Sequence, residues 1–392
     1  MTEERVRPLV TVDLGVVAAN TGRLAARTEA ALMAVVKADG FGHGAVPVAR
    51  TALAHGATRL GVATADEALA LRGAGLTAPV LSWLNAPQAE LTPAVDTGIE
   101  LAVPSFDHLQ AVAAAAHNAG RAALIHLHAD VGMARDGAAH ADWPRLCGHA
   151  AALERTGRIR VIGVMGHLGC ADTPDDRHNA GGRDRFDEAV RSARSHGLRP
   201  RLRHLAATAA VLNDPAAHHD MVRVGAGLYG IDSTGRAGLQ WAMTLTAPVV
   251  CVRDVPAGTP VGYGHTWTTD RCTRLALLPL GYGDGLPRAA SGRAEVLLNG
   301  RRRPVVGRIS MDQIVVDAGQ HPVQAGDVAT VLGPGTSGEP TPADWARWAG
   351  TLPHELLTTI GSGHRVARRH RPCTVTHEQP TSPVPHLQES FA

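Results

Sequence analysis

Between residues 30 and 225 the chain alternates short β-rich runs with alanine-rich helical stretches, and this alternation limits the possible folds more than any other feature. The runs are residues 32–36, 59–63, 79–82, 100–103, 123–128, 161–166, 203–206 and 221–225. Between them lie stretches such as 45–55, 65–73, 106–118, 142–155 and 183–196. Eight strand–helix units in about 200 residues predict a closed (β/α)8 barrel of the TIM type. A doubly wound open sheet is the alternative, but the GxGxxG fingerprint after its first strand is absent. After residue 235 the pattern changes to strands with hairpin signals: 243–252, 275–279, 294–298, 304–306, 313–317 and 327–332, interrupted by a helical piece at 342–349. The predicted organisation is a barrel over 1–235, a mostly-β domain over 236–370, and a tail over 371–392 rich in Pro, Ser and His, expected to be disordered.

In a barrel, chemistry gathers at the C-terminal ends of the strands. The first strand ends at Lys37, the only lysine in a chain whose Lys and Arg total 38. Wherever a positive charge suffices this sequence uses arginine. Lysine does what arginine cannot: it loses its proton near neutral pH and attacks a carbonyl. The lone amine ends an apolar strand and precedes a glycine-rich turn, Ala38-Asp39-Gly40-Phe41-Gly42-His43-Gly44, a setting for a Schiff-base nucleophile rather than a surface charge.

Composition excludes other classes. A net charge of +2 draws the chain as a whole to neither nucleic acid nor anionic membrane. The run Arg301-Arg302-Arg303 follows Asn299-Gly300, a hairpin signal, and reads as a solvated turn. Five scattered cysteines without a CxxC pair argue for a reducing compartment, and no apolar run is long enough for a signal or a membrane span; cytoplasmic location is expected. His126 and His128 alternate on a strand and His218-His219 are adjacent, but neither pair has further ligands in view, so no metal site is expected.

Other candidates fall on the same rim as Lys37. Asp130 and Arg135 follow the fifth strand, His167 the sixth and Thr208 the seventh, with Arg223 and Gly225-Ala226-Gly227 at the eighth. Barrel phosphate sites favour the loops after strands seven and eight, where Thr208 offers a hydroxyl and Gly225-Ala226 unencumbered N–H groups. A Schiff-base lysine and a phosphate cradle on one rim point to pyridoxal phosphate.

Ordered motifs over nearly the whole chain carry a resemblance. Residues 34–44 are similar to the cofactor-lysine segment of alanine racemases. Asp130-Val131-Gly132-Met133-Ala134-Arg135 resembles that family's D-T-G-M-x-R, Gly166-His167-Leu168-Gly169-Cys170-Ala171-Asp172 its T-H-F-A-x-A-D, and His204-Leu205-Ala206-Ala207-Thr208-Ala209 its H-x-A-N-S-A. Met221 to Gly230 resembles M-V-R-P-G-I-x-L-Y-G. In the β domain, Val261-Gly262-Tyr263-Gly264, Gly281-Tyr282-Gly283-Asp284-Gly285 and the segment Gly307 to Gln313 match three more motifs.

The resemblance implies a pyridoxal-phosphate barrel followed by a β domain, in a head-to-tail homodimer whose sites are each completed by the partner's β domain. It implies interconversion of L- and D-alanine, supplying D-alanine for peptidoglycan. Lys37 would carry the cofactor and act as one base, and Tyr263 from the other subunit as the opposite base. One base per face is what racemisation requires, with both poised near operating pH; a tyrosine needs help for this, since its unperturbed pKa is about 10. The same resemblance makes His167 the tyrosine's polarising neighbour and Arg223 the partner of the pyridine nitrogen. It places Arg135 and the Met311 backbone N–H at the substrate carboxylate, with Tyr282 in the access corridor. Thr208, Gly225 and Ala226 fall at the phosphate.

The chain departs from the family where Phe41 and His354 replace tyrosines of the cofactor site, where Ala207 and Thr208 replace Asn and Ser, and where His128 occupies a position often held by a carbamylated lysine. With no second lysine that modification is impossible, and Arg135 must be oriented by His128, a bound anion, water or a nearby acceptor such as Asp130. Alternatives are a racemase of other or broader specificity, a non-catalytic pyridoxal-phosphate protein, and a decarboxylase of related architecture. The β domain with Tyr263 argues against the second. The third calls for a second-domain cysteine and acidic specificity residues that are not evident.

Overall fold

A computed structural model describes residues 4, 6–232, 234–360 and 366–373. Eight parallel strands form the barrel: β2 (Ala31–Val35), β3 (Ala57–Val62), β4 (Val80–Ser82), β5 (Glu100–Val103), β6 (Ala123–His128), β7 (Ile159–Met165), β8 (Leu202–His204) and β9 (Met221–Val224), with β2 lying between β3 and β9. The last seam, between β8 and β9, is thin. It is closed by a bridge between Ala207 and Arg223, by the Asp220 N–H on the Arg203 carbonyl at 3.1 Å, and by a two-pronged Arg203–Asp220 ion pair at 2.7 and 2.9 Å.

The period of two along each strand sorts residues between two environments. Leu32, Ala34, Leu60, Val62, Ile125, Leu127, Val222 and Val224 join the core beneath the outer helices. Met33, Leu81, Ala102, Met165 and Met221 form a separate small cluster. Buried beside it are Glu100, His126, His128, His204 and Arg223, an uncommon polar load for a barrel interior. Helix starts follow local chemistry. Thr64 and Glu67 make a reciprocal capping box on helix Ala65–Gly73, and Ser105 caps Phe106–Ala119.

The second domain is built on a nine-stranded sheet in the order β11-β14-β17-β16-β15-β18-β10-β1-β19. Its strands are β10 (Met243–Pro248), β11 (Cys251–Val255), β14 (Thr273–Leu278), β15 (Glu295–Leu298), β16 (Arg301–Val306), β17 (Ile314–Gly319), β18 (Val328–Leu332), β19 (Ala367–Arg371) and β1 (Leu9–Asp13), while β12 (Pro260–Val261) and β13 (Trp267–Thr268) pair separately.

Three expectations are corrected. The N-terminal residues assigned to the barrel supply β1, which runs antiparallel to β10 and parallel to β19 in the other sheet. Leu9, Val10 and Val12 are buried there, and the strand finds its partners in β10 and β19, remote from it in sequence. Arg301–Arg303 are not a turn. The turn is Asn299-Gly300, and the arginines enter β16 opposite β15, with Arg302 facing Glu295 and Asp344. Arg371, read as the start of the tail, ends β19 beside Asp13; residues 374–392, the rest of that tail, lie outside the described residues.

Candidate active site

Lys37 leaves the mouth of β2 on a left-handed turn. Ala38, Asp39, Gly40 and Phe41 all have φ between +51° and +62°. Each non-glycine residue there costs about 1–2 kcal/mol, so the turn persists only because its surroundings hold it. Glu67 accepts the Ala38 N–H at 2.7 Å, Asp39 accepts the Ala45 N–H at 2.8 Å, and the Asp39 carbonyl accepts from Gly44 at 2.8 Å. Strand β19 latches it from outside, with Arg368 paired to Asp39 and His370 donating to the His43 carbonyl at 2.7 Å. From within, the buried Tyr229 donates its hydroxyl to the Val35 carbonyl at 3.2 Å and packs against Phe41, ring centroids 4.8 Å apart.

The Lys37 amine is partly buried and has no carboxylate within ion-pair distance among the described residues. Burial, then the Arg135 charge, lower its pKa, with Glu67 pulling weakly the other way. The ammonium lies 5.7 Å from the centre of the Trp83 ring. Burial and the Lys37 charge also depress His354, which sits 6.1 Å, ring to ring, from Phe41. Lys37, Trp83, Phe41 and His354 thus meet at one mouth.

Beside them, on strand β9 next to β2, is Arg223, only 5% exposed. Its Nη1 donates to the His204 carbonyl at 2.8 Å and to His204 Nδ1 at 3.0 Å; its Nη2 donates to the carbonyls of Gly166 and Leu205 at 2.7 and 3.2 Å and to His167 Nδ1 at 3.3 Å. None of the described hydrogen bonds uses Nε. Burial alone pushes its pKa down to about 10, which leaves it cationic at neutral pH. His167 is pushed down to about 3 by burial and then by Arg223, Arg135, His128 and Lys37, so it is a neutral imidazole. Thr208, 7% exposed, accepts the Gly225 and Gly227 N–H groups at 3.3 Å each, drawing the loop after β9 onto the start of helix Thr208–Asn213, with Ala226 between the two glycines.

The loop after β6 differs from expectation. Asp130 Oδ1 accepts the N–H groups of Gly132, Met133 and Ala134 at 2.9, 2.9 and 3.2 Å, so it shapes the loop rather than holding Arg135. His128 faces Asp136 at 3.4 Å, not Arg135. Arg135 is exposed and has no hydrogen bond or ion pair among the described residues; its charge is felt at Lys37 and His167.

The β-domain candidates do not join this cluster within the chain. Tyr263 is 72% exposed, Met311 55% and Tyr282 41%. They share one surface. The Tyr282 and Gly283 N–H groups donate to the Ser310 and Met311 carbonyls at 3.0 and 2.8 Å, and an added Cβ at Gly262 would lie 3.3 Å from the Arg308 nitrogen. None of the charge effects or ring contacts at Lys37 involves Tyr263.

Sequence reasoning missed Trp83, Glu67, Tyr229 and the polar interior of the barrel. Trp83 had a readable signal, an aromatic directly after a strand end on the catalytic rim. His126 was weighed only as a metal ligand; it instead bonds His204 and Glu100. Among the described residues one trio has metal-ligand spacing, Cys170, Asp176 and His178 after β7. Among the described residues no helix is long and apolar enough to cross a membrane.

Comparison with known proteins agrees with this geometry. The alanine racemase N-terminal domain matches residues 12–233 and the C-terminal domain residues 242–370. An alanine racemase of Frankia casuarinae is 47% identical over 94% of this chain and 100% of its own length. The crystal structure of alanine racemase from Streptomyces lavendulae is similar at a TM-score of 0.91 and 44% identity, covering 93% of this chain and 97% of that one. That of alanine racemase from Bartonella henselae, with covalently bound pyridoxal phosphate, superimposes at 0.84 and 26% identity, covering 93% and 99%. With both domains matched and near-half identity over almost its full length, the chain belongs to the alanine racemase family.

Proposed function

We propose that this chain interconverts L- and D-alanine with pyridoxal phosphate held by Lys37, in a homodimer whose two sites each draw Tyr263 from the second copy. The observation that carries the reading is the state of Lys37: the sole lysine, free of any described carboxylate, lowered in pKa by burial and sharing one rim with Arg223 and His167. The donor set fits the cofactor. The uncommitted Arg223 Nε suits an acceptor nitrogen, and Thr208 with the Gly225–Ala226 backbone suits a phosphate. Phe41 packs apolar against Tyr229, so His354 is the side chain left to replace the missing phenol donors. When bound, the cofactor supplies an electron sink that acidifies the α-hydrogen of an amino acid joined to it.

The residues then divide the work. Lys37 Nζ moves the proton on one face of the α-carbon and the Tyr263 hydroxyl on the other. Neutral His167 accepts from Arg223 at Nδ1, which leaves its Nε2–H to orient the tyrosine oxygen. Arg135 and the Met311 N–H receive the carboxylate. Exposure of Tyr263, Tyr282 and Met311 on one β-domain surface supports a shared site, since those side chains are uncovered in a single chain. Five free cysteines support a cytoplasmic setting, where D-alanine for peptidoglycan would be made.

Borohydride treatment of the holoenzyme should fix one pyridoxyl group per chain at Lys37, and in heavy water α-proton exchange should be fastest with alanine among the amino acids. An adduct at the N-terminus, or exchange favouring another amino acid, overturns the cofactor or the substrate assignment respectively.

A further inference from the structure

Five side chains cross the barrel interior as one connected chain. Arg59 on β3 pairs with Glu100 at the start of β5. The other Glu100 oxygen meets His126 Nε2 on β6 at 3.0 Å. His126 Nδ1 meets His204 Nε2 on β8 at 2.8 Å, and His204 Nδ1 meets Arg223 Nη1 on β9 at 3.0 Å. His126 and His204 are 0% exposed and Glu100 is 4% exposed. The line runs from the N-terminal end of β5 to the rim that carries Lys37.

Hydrogen-bond chemistry allows this line only one direction. Arginine donates and never accepts, so His204 Nδ1 must accept from Arg223. A neutral imidazole has one donor and one acceptor, so His204 carries its proton on Nε2 and donates to His126 Nδ1. His126 is then also the Nε2–H form and donates to the Glu100 carboxylate, whose other oxygen takes the Arg59 guanidinium. Putting the proton of either ring on Nδ1 sets donor against donor somewhere along the line. The space is built for it as well: an added Cβ at Gly163 would lie 2.1 Å from His126 Nδ1, so the glycine of β7 is what admits that ring.

The line also settles a charge question. Arg223 is a buried cation with no carboxylate in ion-pair contact among the described residues; its acceptors are carbonyls and imidazoles. A carboxylate placed directly on it would compete for the donor that the site needs. Two neutral rings orient the guanidinium through its Nη1 while leaving Nε free toward the rim. We propose that Glu100 is a positioning residue for Arg223: through His126 and His204 its carboxylate fixes a one-way chain of donors that holds the guanidinium oriented toward the cofactor's pyridine nitrogen. This rests on the reading of Arg223 as the pyridine partner given above.

The test uses the holoenzyme with 15N-labelled histidine and, separately, cofactor labelled with 15N in the pyridine ring. His126 and His204 should both show the neutral Nε2–H pattern; an Nδ1–H tautomer at either overturns the chain. Glu100→Gln keeps an acceptor for His126 but removes the charge, and Gly163→Ala displaces the ring without altering any charged group. Both should move the pyridine 15N resonance in the same direction and lower kcat about tenfold with KM changed less than twofold, and Glu100→Asp should recover part of the loss. A resonance that stays put in both variants, with activity falling only as the folded fraction falls, makes Glu100 a structural residue and overturns the proposal. Should both variants fail to fold, the tautomer measurement on the unaltered enzyme still decides. Arg223→Gln separates the two readings: if the pyridine resonance ignores that change, the pyridine assignment of Arg223 fails, whereas the histidine tautomers test the chain itself.

Discussion

Replacing Gly42 by alanine should damage this enzyme far more than the same change at Gly40, two residues away on the same turn. Both glycines lie in the left-handed region, at φ +77° and +62°, so alanine costs about 1–2 kcal/mol at either place from backbone strain alone. Their surroundings differ. At Gly40 the new methyl meets the Ala45 nitrogen at 3.3 Å and the Tyr229 hydroxyl at 3.4 Å, contacts that a small adjustment relieves. At Gly42 it would lie 2.3 Å from the Leu357 carbonyl oxygen, a backbone atom of helix Pro353–Thr359 whose Leu357 side chain is fully buried. Relief requires the helix to move by about an ångström, an overpacking cost of about 1–3 kcal/mol on top of the strain. That helix carries His354, so the displacement reaches the mouth of the site beside Lys37. The expected penalties are ~1–2 kcal/mol for Gly40→Ala and ~2–5 kcal/mol for Gly42→Ala. The latter should also weaken cofactor retention. Gly73→Ala, at a helix end with open space and no positive φ, is the control and should be neutral or slightly stabilising. Urea unfolding with the cofactor's absorbance as a second probe ranks the three. If Gly40→Ala costs as much as Gly42→Ala, or Gly42→Ala holds cofactor and kcat unchanged, the steric reasoning is refuted.

Tyr263→Phe should keep the bound cofactor, because Lys37 that holds it is intact, yet abolish racemisation; near-normal turnover would remove Tyr263 from the mechanism. Co-expressed Lys37→Ala and Tyr263→Phe chains should regain activity in verified heterodimers, and silence there would mean that each site is made within one chain. His167, held neutral down to about pH 3, should contribute no limb to the kcat/KM profile between pH 5 and 9, so a limb near 6.5 that disappears in His167→Asn would contradict its burial. Glu67→Gln has one acceptor oxygen where the carboxylate now serves Ala38, Ala63 and Thr64, so it should cost about 1–3 kcal/mol and loosen the Lys37 turn, read as a raised cofactor dissociation constant. Activity should be independent of bicarbonate, and intact mass should show no carbamate, since Lys37 is the only lysine.

Much of the molecule was legible along the chain because the deciding interactions are local or periodic. Eight barrel strands show in the sequence because buried parallel strands write continuous apolar runs, and the rim positions of Lys37, Thr208 and Arg223 follow from the ends of those runs. The helix Pro342–Ala349 announces itself by Thr341 and Asp344, a capping box that needs no distant partner. What the sequence could not show depends on contacts between remote segments. Strand β1 belongs to the second sheet only because residues 243–248 and 367–371 flank it. The left-handed turn at Lys37 survives its strain only because Glu67 and Arg368, distant in sequence, converge on it. His126 reads along the chain only as a metal-ligand candidate without partners, until the closed barrel sets it between Glu100 and His204. Residue chemistry and period are properties of the chain itself, but which donor faces which acceptor across the barrel is settled only when five strands from separate parts of the chain close around the same axis.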